Sequence, residues 1–411
     1  MVVTCDIQFE NNPQGCFFAG QVLTGKIILS ADKAKQVKAV VLKINGYAHT
    51  WWSEKGTRDK KTHYSGHIDY INSVTQLLSQ PSSDTPVIIE PGVHSFSFAC
   101  HIPTTCPSSF EGVRGHIRYL IQIDLVRPWK FDQSFTRGFT VLKVMDLNYD
   151  TPLLKMPVDN RMSKVFCCGP MKTDPLQLQI HLPQSGYVPG QLIPISIVAS
   201  NDTKVEITEI CVRLVMLVCL YSQRPLVRAV NECMTVSKLK GDPVPILCKK
   251  QFNYLLPVPA TPPTCFNLCQ IVQVAYRIEV EAKMKGFFYP TQVIHIPVTI
   301  GNVPLMSVIQ QQPMALQNGR SFSGGGGDSD EVDNANDQPW AVNDSIPPPS
   351  FEEAVHMPQA QLADPAKHDY GDKTFSPKYP VFNIPSPSIQ ENQENIFVPP
   401  TVTDPNKSTW L

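Results

Sequence analysis

The chain of 411 residues has no apolar run long enough to cross a bilayer. The longest, LVMLVCLY (Leu214–Tyr221), covers well under the ~20 residues that a spanning helix needs. The opening MVVTCDIQFE has no basic stretch followed by an apolar core, so a secretory signal is not expected. Helical periodicity is also missing. No long segment repeats its apolar residues at a 3.6 spacing, which excludes a helical bundle and leaves room only for few, short helices. There is no Gly-rich phosphate loop, nucleophile elbow or zinc-hydrolase signature, so neither an enzyme nor a cofactor is expected. All 12 cysteines lie before residue 270, and they lack the spacing of a small secreted disulfide scaffold. Most lie inside apolar runs, such as Cys211 and Cys219 in EICVRLVMLVCLY, where small buried thiols are the default reading. Cys265-x3-Cys269, the pair Cys167–Cys168 and His63-x3-His67 each have ligand-like spacing, but no second pair at zinc spacing accompanies them. His63 and His67 fall in TRDKKTHYSGH, which reads as a polar loop or hairpin end.

Charge is scarce and nearly balanced overall, but unevenly placed. From Leu305 onward there are 14 Asp+Glu against 5 Lys+Arg, and before it 22 against 30. A basic body therefore carries an acidic tail. The body suits acidic partners such as phosphorylated segments or anionic membrane surfaces, with solubility as the plain alternative. No nucleic-acid partner is expected.

What is present is β pattern. HIRYLIQIDLV puts Ile117, Tyr119, Ile121, Ile123 and Leu125 on one face, with Arg118, Gln122 and Asp124 on the other. VQVAYRIEVEA does the same with Val272, Val274, Tyr276, Ile278 and Val280 against Gln273, Arg277 and Glu279. Period two with β-branched residues indicates half-buried strands of a sandwich. Pro and Gly clusters punctuate them at EPGV, IPTTCPSSFEG and GYVPGQ.

The chain also repeats itself. FFAGQVLTGKIIL aligns with GYVPGQLIPISIV at an offset of 170, placing Gly20-Gln21 on Gly190-Gln191. Without a gap, the same offset sets Val37 on Ile207, Val40 on Ile210, Leu42 on Val212 and Ile44 on Leu214. The expected fold is all-β: two tandem immunoglobulin-like β-sandwiches at residues 1–150 and 151–304, with a hinge near Tyr149–Met162. Residues 305–411, rich in proline and acid and including SGGGGDSDEVDNANDQP, are expected to form a disordered tail, because such composition buries too little apolar surface to offset ordering entropy.

Gly92–Leu142 resembles the N-terminal arrestin domain of the alpha-arrestins, also called arrestin-domain-containing proteins. The specific pieces are PSSFEG (Pro107–Gly112), GHIRY (Gly115–Tyr119) and RPW (Arg127–Trp129), and GYVPGQ (Gly186–Gln191) is similar to the start of the C-terminal arrestin domain. The resemblance covers about residues 5–303. It implies two arrestin-like sandwiches and an adaptor located in the cytoplasm and recruited to plasma membrane and endosomes. Its arrestin domains would bind membrane receptors or transporters as cargo. Its tail would recruit a WW-domain HECT ubiquitin ligase, so that cargo is ubiquitinated, endocytosed and sorted. Two alternatives stand beside this: a ligase-independent scaffold for endosomal sorting, and a thioredoxin-binding redox regulator as in one branch of the family.

The tail motif is PPSF, residues Pro348, Pro349, Ser350 and Phe351, within PPSFEEA. WW domains read polyproline II, whose fixed φ limits the entropy lost on docking. The family motif ends in tyrosine, and no intact Pro-Pro-x-Tyr occurs here. Phe351 keeps the ring and loses one hydrogen bond, worth about 0.5–1.5 kcal/mol, so the motif reads as a weakened ligand, with a decayed one as the alternative. Ser376 and Ser386 precede prolines and are candidate phosphosites. Thr409 and Leu411 fit the pattern of a C-terminal PDZ-domain ligand, a pattern short enough to arise by chance. Arg114, Arg118, Lys26, Lys33, Lys35 and Lys38 are basic candidates for sensing phosphate, and solvated strand faces explain them equally well.

Overall fold

The computed structural model describes residues 3–56, 60–79, 86–149, 151–168, 171–172, 174–287, 289–306, 347–354, 356–362, 368–370 and 374–384. The first sandwich packs a three-stranded sheet, in the order Val3–Phe9, Val22–Ala31, Gly92–His101, against a larger one. The larger sheet runs Cys16–Phe18, Gln133–Leu142, Gly115–Val126, Ala39–Lys55, Lys61–Ser79. The second sandwich repeats this plan. Its sheets run Val158–Lys164, Leu176–Leu182, Leu192–Asn201, Cys248–Pro257, and Gly186–Tyr187, Gln292–Ile300, Val272–Met284, Ile207–Tyr221, Ala229–Gly241. Among the described residues no helix is long and apolar enough to cross a membrane.

The alternation predicted from sequence is the alternation that forms. Ile117 is 2% exposed, and Tyr119, Ile121, Ile123 and Leu125 are 0% exposed. Val272, Val274, Tyr276, Ile278 and Val280 are buried likewise. The opposite faces are less exposed than alternation alone implies. Asp124 is buried, and is stabilised as a carboxylate by Lys43 Nζ at 2.8 Å and the Ser134 hydroxyl at 2.6 Å. Glu279 is buried between Arg213 and Arg277, at 2.8 and 2.6 Å. Each carboxylate is countered by a cation on a neighbouring strand or on its own, which makes its burial tolerable.

The offset of 170 is a structural repeat. Val22–Ala31 falls on Leu192–Asn201 end to end. Gly20 and Gly190 both take a left-handed backbone, with φ 98° and 92°. The Gln21 and Gln191 side chains each accept the amide three residues back, from Phe18 and Val188, both at 2.8 Å. A second device recurs as well. Tyr119 Oη donates to the Pro107 carbonyl and Tyr276 Oη to the Pro262 carbonyl, both at 2.7 Å. The phenols are thereby satisfied inside the two cores.

The link between sandwiches is shorter than expected. Val158–Lys164 is a strand of the second sandwich, paired with Leu176–Leu182 from Val158↔Leu182 to Lys164↔Leu176, so the Met162 end of the expected hinge is sheet. The rest is pinned to the exit of the last strand. Asn302, almost fully buried, accepts the Met145 amide at 2.7 Å and donates to the Lys143 carbonyl at 2.8 Å. Asn148 Nδ2 donates to the Pro304 carbonyl at 2.8 Å. At the far end the long Ala39–Lys55 and Lys61–Ser79 strands reach the second sandwich. Thr50 Oγ1 donates to the Tyr221 carbonyl at 2.7 Å, Ser65 and Arg224 form an antiparallel bridge, and Arg228 pairs with Glu54 at 2.9 Å. The two sandwiches are tied at both ends of their contact.

Candidate docking site between the sandwiches

The last structural layer is built from the region expected to lack fixed structure. Ser350–Glu353 pairs antiparallel with Lys378–Val381, in the register Ser350↔Val381, Phe351↔Pro380, Glu352↔Tyr379, Glu353↔Lys378. His368–Tyr370 adds to the edge of Gln133–Leu142 in parallel, and Ala360–Gln361 pairs with Thr374–Phe375. Composition averaged over the tail hides why these stretches order. Tyr379 and Phe382 fall close together, and the body supplies the apolar surface they lack on their own.

That surface is a crevice with walls from both sandwiches and the link between them. Phe18 and Leu142 come from the first, Val188 from the second, and Leu147, Leu154 and Leu305 from the connecting and exit segments. Tyr379 and Phe382 fill it, at 0% and 1% exposed. Tyr379 Oη donates to the Ser109 carbonyl at 2.8 Å, and burial pushes its phenol far above the usual range. The Lys378 amide donates to Thr140 Oγ1 at 3.1 Å, both partners so far belonging to the first sandwich. The Phe382 amide donates to the Pro189 carbonyl of the second at 2.9 Å. Gly190 makes that approach possible, since a Cβ there would lie 2.0 Å from the Phe382 carbonyl oxygen. His356 Nε2 donates to the Val236 carbonyl at 2.9 Å.

Burying each ring contributes about 1.5–3 kcal/mol, and each hydrogen bond about 1 kcal/mol net. Ordering the five residues Lys378–Phe382 costs about 1–2 kcal/mol apiece. The ladder with Ser350–Glu353 and the packing of Phe351 add to the docked side.

The PPSF motif lies inside this layer. Pro348 and Ser350 are exposed, Pro349 is buried and Phe351 is half-buried, packed on the cluster that holds Tyr379 and Phe382. Ser350 Oγ donates to Glu352 Oε1 at 3.0 Å. Ser376 is half-buried, two residues before Lys378. Ser386, Thr409 and Leu411 lie outside the described residues.

Four of the basic candidates are partnered within the fold. Arg118 forms a two-pronged pair with Glu111 at 2.6 and 2.8 Å. Burial pushes the Glu111 carboxyl up despite that partner. Arg114 reaches Glu232 across the domain interface at 3.5 Å, Lys26 pairs with Glu10 at 2.9 Å, and Lys35 donates to Gln133 Oε1 at 2.5 Å. Lys33 and Lys38 are exposed. Among the described residues no three His, Cys, Asp or Glu side chains are placed to hold a metal. His63 and His67 lie near the start of the Lys61–Ser79 strand, beside the hairpin turn closed by Lys55↔Lys61, which fits the hairpin-end reading rather than the loop. Cys265 and Cys269 are buried, and burial pushes the Cys16 and Cys106 thiols up to about 11, which suppresses the reactive thiolate.

Sequence reasoning missed Tyr379, Phe382, Pro189, Ser109 and Thr140 as parts of one site. The available signal was KYPVF, two aromatics three apart in a proline-rich stretch.

Comparison with known proteins decides the family. The family description "Arrestin (or S-antigen), N-terminal domain" matches residues 5–148, and "Arrestin (or S-antigen), C-terminal domain" matches residues 172–305. The chain is an arrestin-domain-containing protein. It is similar to Arrestin domain-containing protein 17 of Caenorhabditis elegans, 27% identical over 314 residues, which is 72% of this chain and 70% of the relative. It is also similar to Arrestin domain-containing protein 4 of Mus musculus, 26% identical, and of Homo sapiens, 25% identical, each over 74% of this chain and 72% of the relative. The matched regions are the two sandwiches, so this arrestin-domain protein has an arrestin-like adaptor scaffold over residues 5–305.

Proposed function

We propose that this protein is a trafficking adaptor. It binds membrane receptors or transporters through its arrestin domains and brings a WW-domain HECT ubiquitin ligase to them, promoting ubiquitination, endocytosis and endosomal sorting. The observation that carries the reading is the joining of two arrestin sandwiches to PPSFEEA in one chain. A tandem of WW domains compensates for a weak ligand by raising effective concentration once one contact is made. Peripheral membrane association is supported by two loop tips. Trp129 is fully exposed between Arg127 and Lys130, with Phe131 73% exposed, and Phe287 of the second sandwich is 98% exposed. Exposed aromatics beside cations suit the interface of an anionic membrane.

The test is reconstitution of ubiquitin transfer to a membrane cargo with a WW-domain HECT ligase. Wild type is expected to support transfer, deletion of residues 345–355 to abolish it, and Phe351→Tyr to raise it by up to roughly tenfold. Transfer unaffected by the deletion would favour a scaffold that needs no ligase motif.

A further inference from the structure

We propose that the crevice between the two sandwiches is a peptide-binding site for an extended Tyr-Pro-x-Phe segment, filled by the chain's own Tyr379–Phe382, and that filling it masks the PPSF motif. The masking half rests on the reading of Pro348–Phe351 as a WW-domain ligand. The docking half rests on geometry alone.

The crevice recognises its occupant in several distinct ways. An apolar pocket made by six residues of the two sandwiches and their connections takes both rings. A carbonyl at Ser109 accepts the tyrosine hydroxyl at the bottom of that pocket. A left-handed glycine, Gly190, leaves room for the backbone of Phe382, whose amide is held by Pro189. The structural repeat isolates this last feature. Gly20 occupies the equivalent turn of the first sandwich with nearly the same φ, yet a Cβ there would meet only the Thr104 methyl, at 3.2 Å.

Masking follows from the strand pairing. A WW domain needs the motif as polyproline II with its prolines and aromatic ring outward. Here residues Ser350–Glu353 are paired in a β-ladder with Lys378–Val381, Pro349 is buried and Phe351 packs inward. The same residues cannot serve both partners at once. The apparent ligase affinity is then the intrinsic affinity multiplied by the fraction of molecules in which the segment has left the crevice.

The test uses full-length protein in four forms: wild type, Tyr379→Ala, Phe382→Ala, and Trp129→Ala as a control that removes a fully exposed aromatic outside the crevice. Two readouts are taken from each: hydrogen exchange over residues 378–382, and affinity for a tandem WW-domain fragment of a HECT ligase. The expectation is slow exchange in wild type and Trp129→Ala, fast exchange in both crevice variants, and WW affinity at least roughly tenfold higher in those two alone. Should a variant fold poorly, Tyr379→Phe is the milder substitution. It removes only the hydroxyl bond to Ser109 and should raise affinity by roughly five-fold. Fast exchange over 378–382 in wild type would overturn the docking. Slow exchange in wild type with equal WW affinity in all forms would overturn the masking alone. Loss of protection in the crevice variants, with no WW binding by any form even after adding Phe351→Tyr, would overturn the ligand reading and the masking with it, while the crevice would stand.

Discussion

His116 should make the first sandwich weaken as pH falls towards endosomal values. Its ring is 6% exposed and neither nitrogen has a hydrogen-bond partner. It lies against Trp51, Tyr47 and His49 at centroid distances of 5.2, 5.6 and 5.8 Å. Burial, followed by Arg118, His49 and His67, pushes its pKa down to about 3. Glu111, its cross-strand partner, is committed to Arg118 and offers no compensating charge. An unfolded histidine titrates near 6.5, so between those two values the unfolded chain binds a proton that the native chain refuses. Stability is therefore complete above about pH 6.5 and is lost as pH falls below it. At pH 5.5 the linkage amounts to about 1.4 kcal/mol, and any native value below about 4.5 gives nearly the same figure. Urea unfolding followed by tryptophan fluorescence, at pH 7.5 and 5.5, should show a loss in wild type that exceeds the loss in His116→Phe by about this amount. The phenylalanine keeps the edge-on ring contacts and removes two unpartnered nitrogens. Equal losses in the two proteins would refute the reasoning.

Arg118→Ala should destabilise the first sandwich by about 3–5 kcal/mol by leaving Glu111 buried without its cation, and adding Glu111→Leu should recover most of the loss, both read by urea midpoints. Tyr119→Phe and Tyr276→Phe should cost similar amounts, about 1 kcal/mol each, because the same hydroxyl-to-carbonyl bond recurs in both sandwiches; a large difference by calorimetry would break the functional equivalence of the repeat. Asn302→Ala strands the Met145 amide and Lys143 carbonyl, at about 1–3 kcal/mol per buried group, and should loosen the link between sandwiches, detected as faster hydrogen exchange across 143–148.

The sequence by itself determined the two sandwiches. Period-two alternation names the buried face of Ile117–Leu125 and Val272–Val280, because strand side chains must alternate and only one choice buries the apolar set. The repeat at offset 170 was equally readable, since Gly-Gln marks a turn whose backbone only glycine adopts cheaply and whose glutamine closes it. PPSF could be named as a motif from its residues alone. Its surroundings could not be read in this way. Ser350–Glu353 and Lys378–Val381 are separated by 24 intervening residues, and neither carries enough apolar surface to predict order. They form a layer only because folding brings Phe18, Leu142, Leu147, Leu154, Val188 and Leu305, drawn from residues 18 to 305, to a single crevice. Local pattern specifies which face of a strand is buried. Only tertiary structure specifies which distant surfaces meet, and here that meeting decides whether a tail segment orders and whether its motif is exposed.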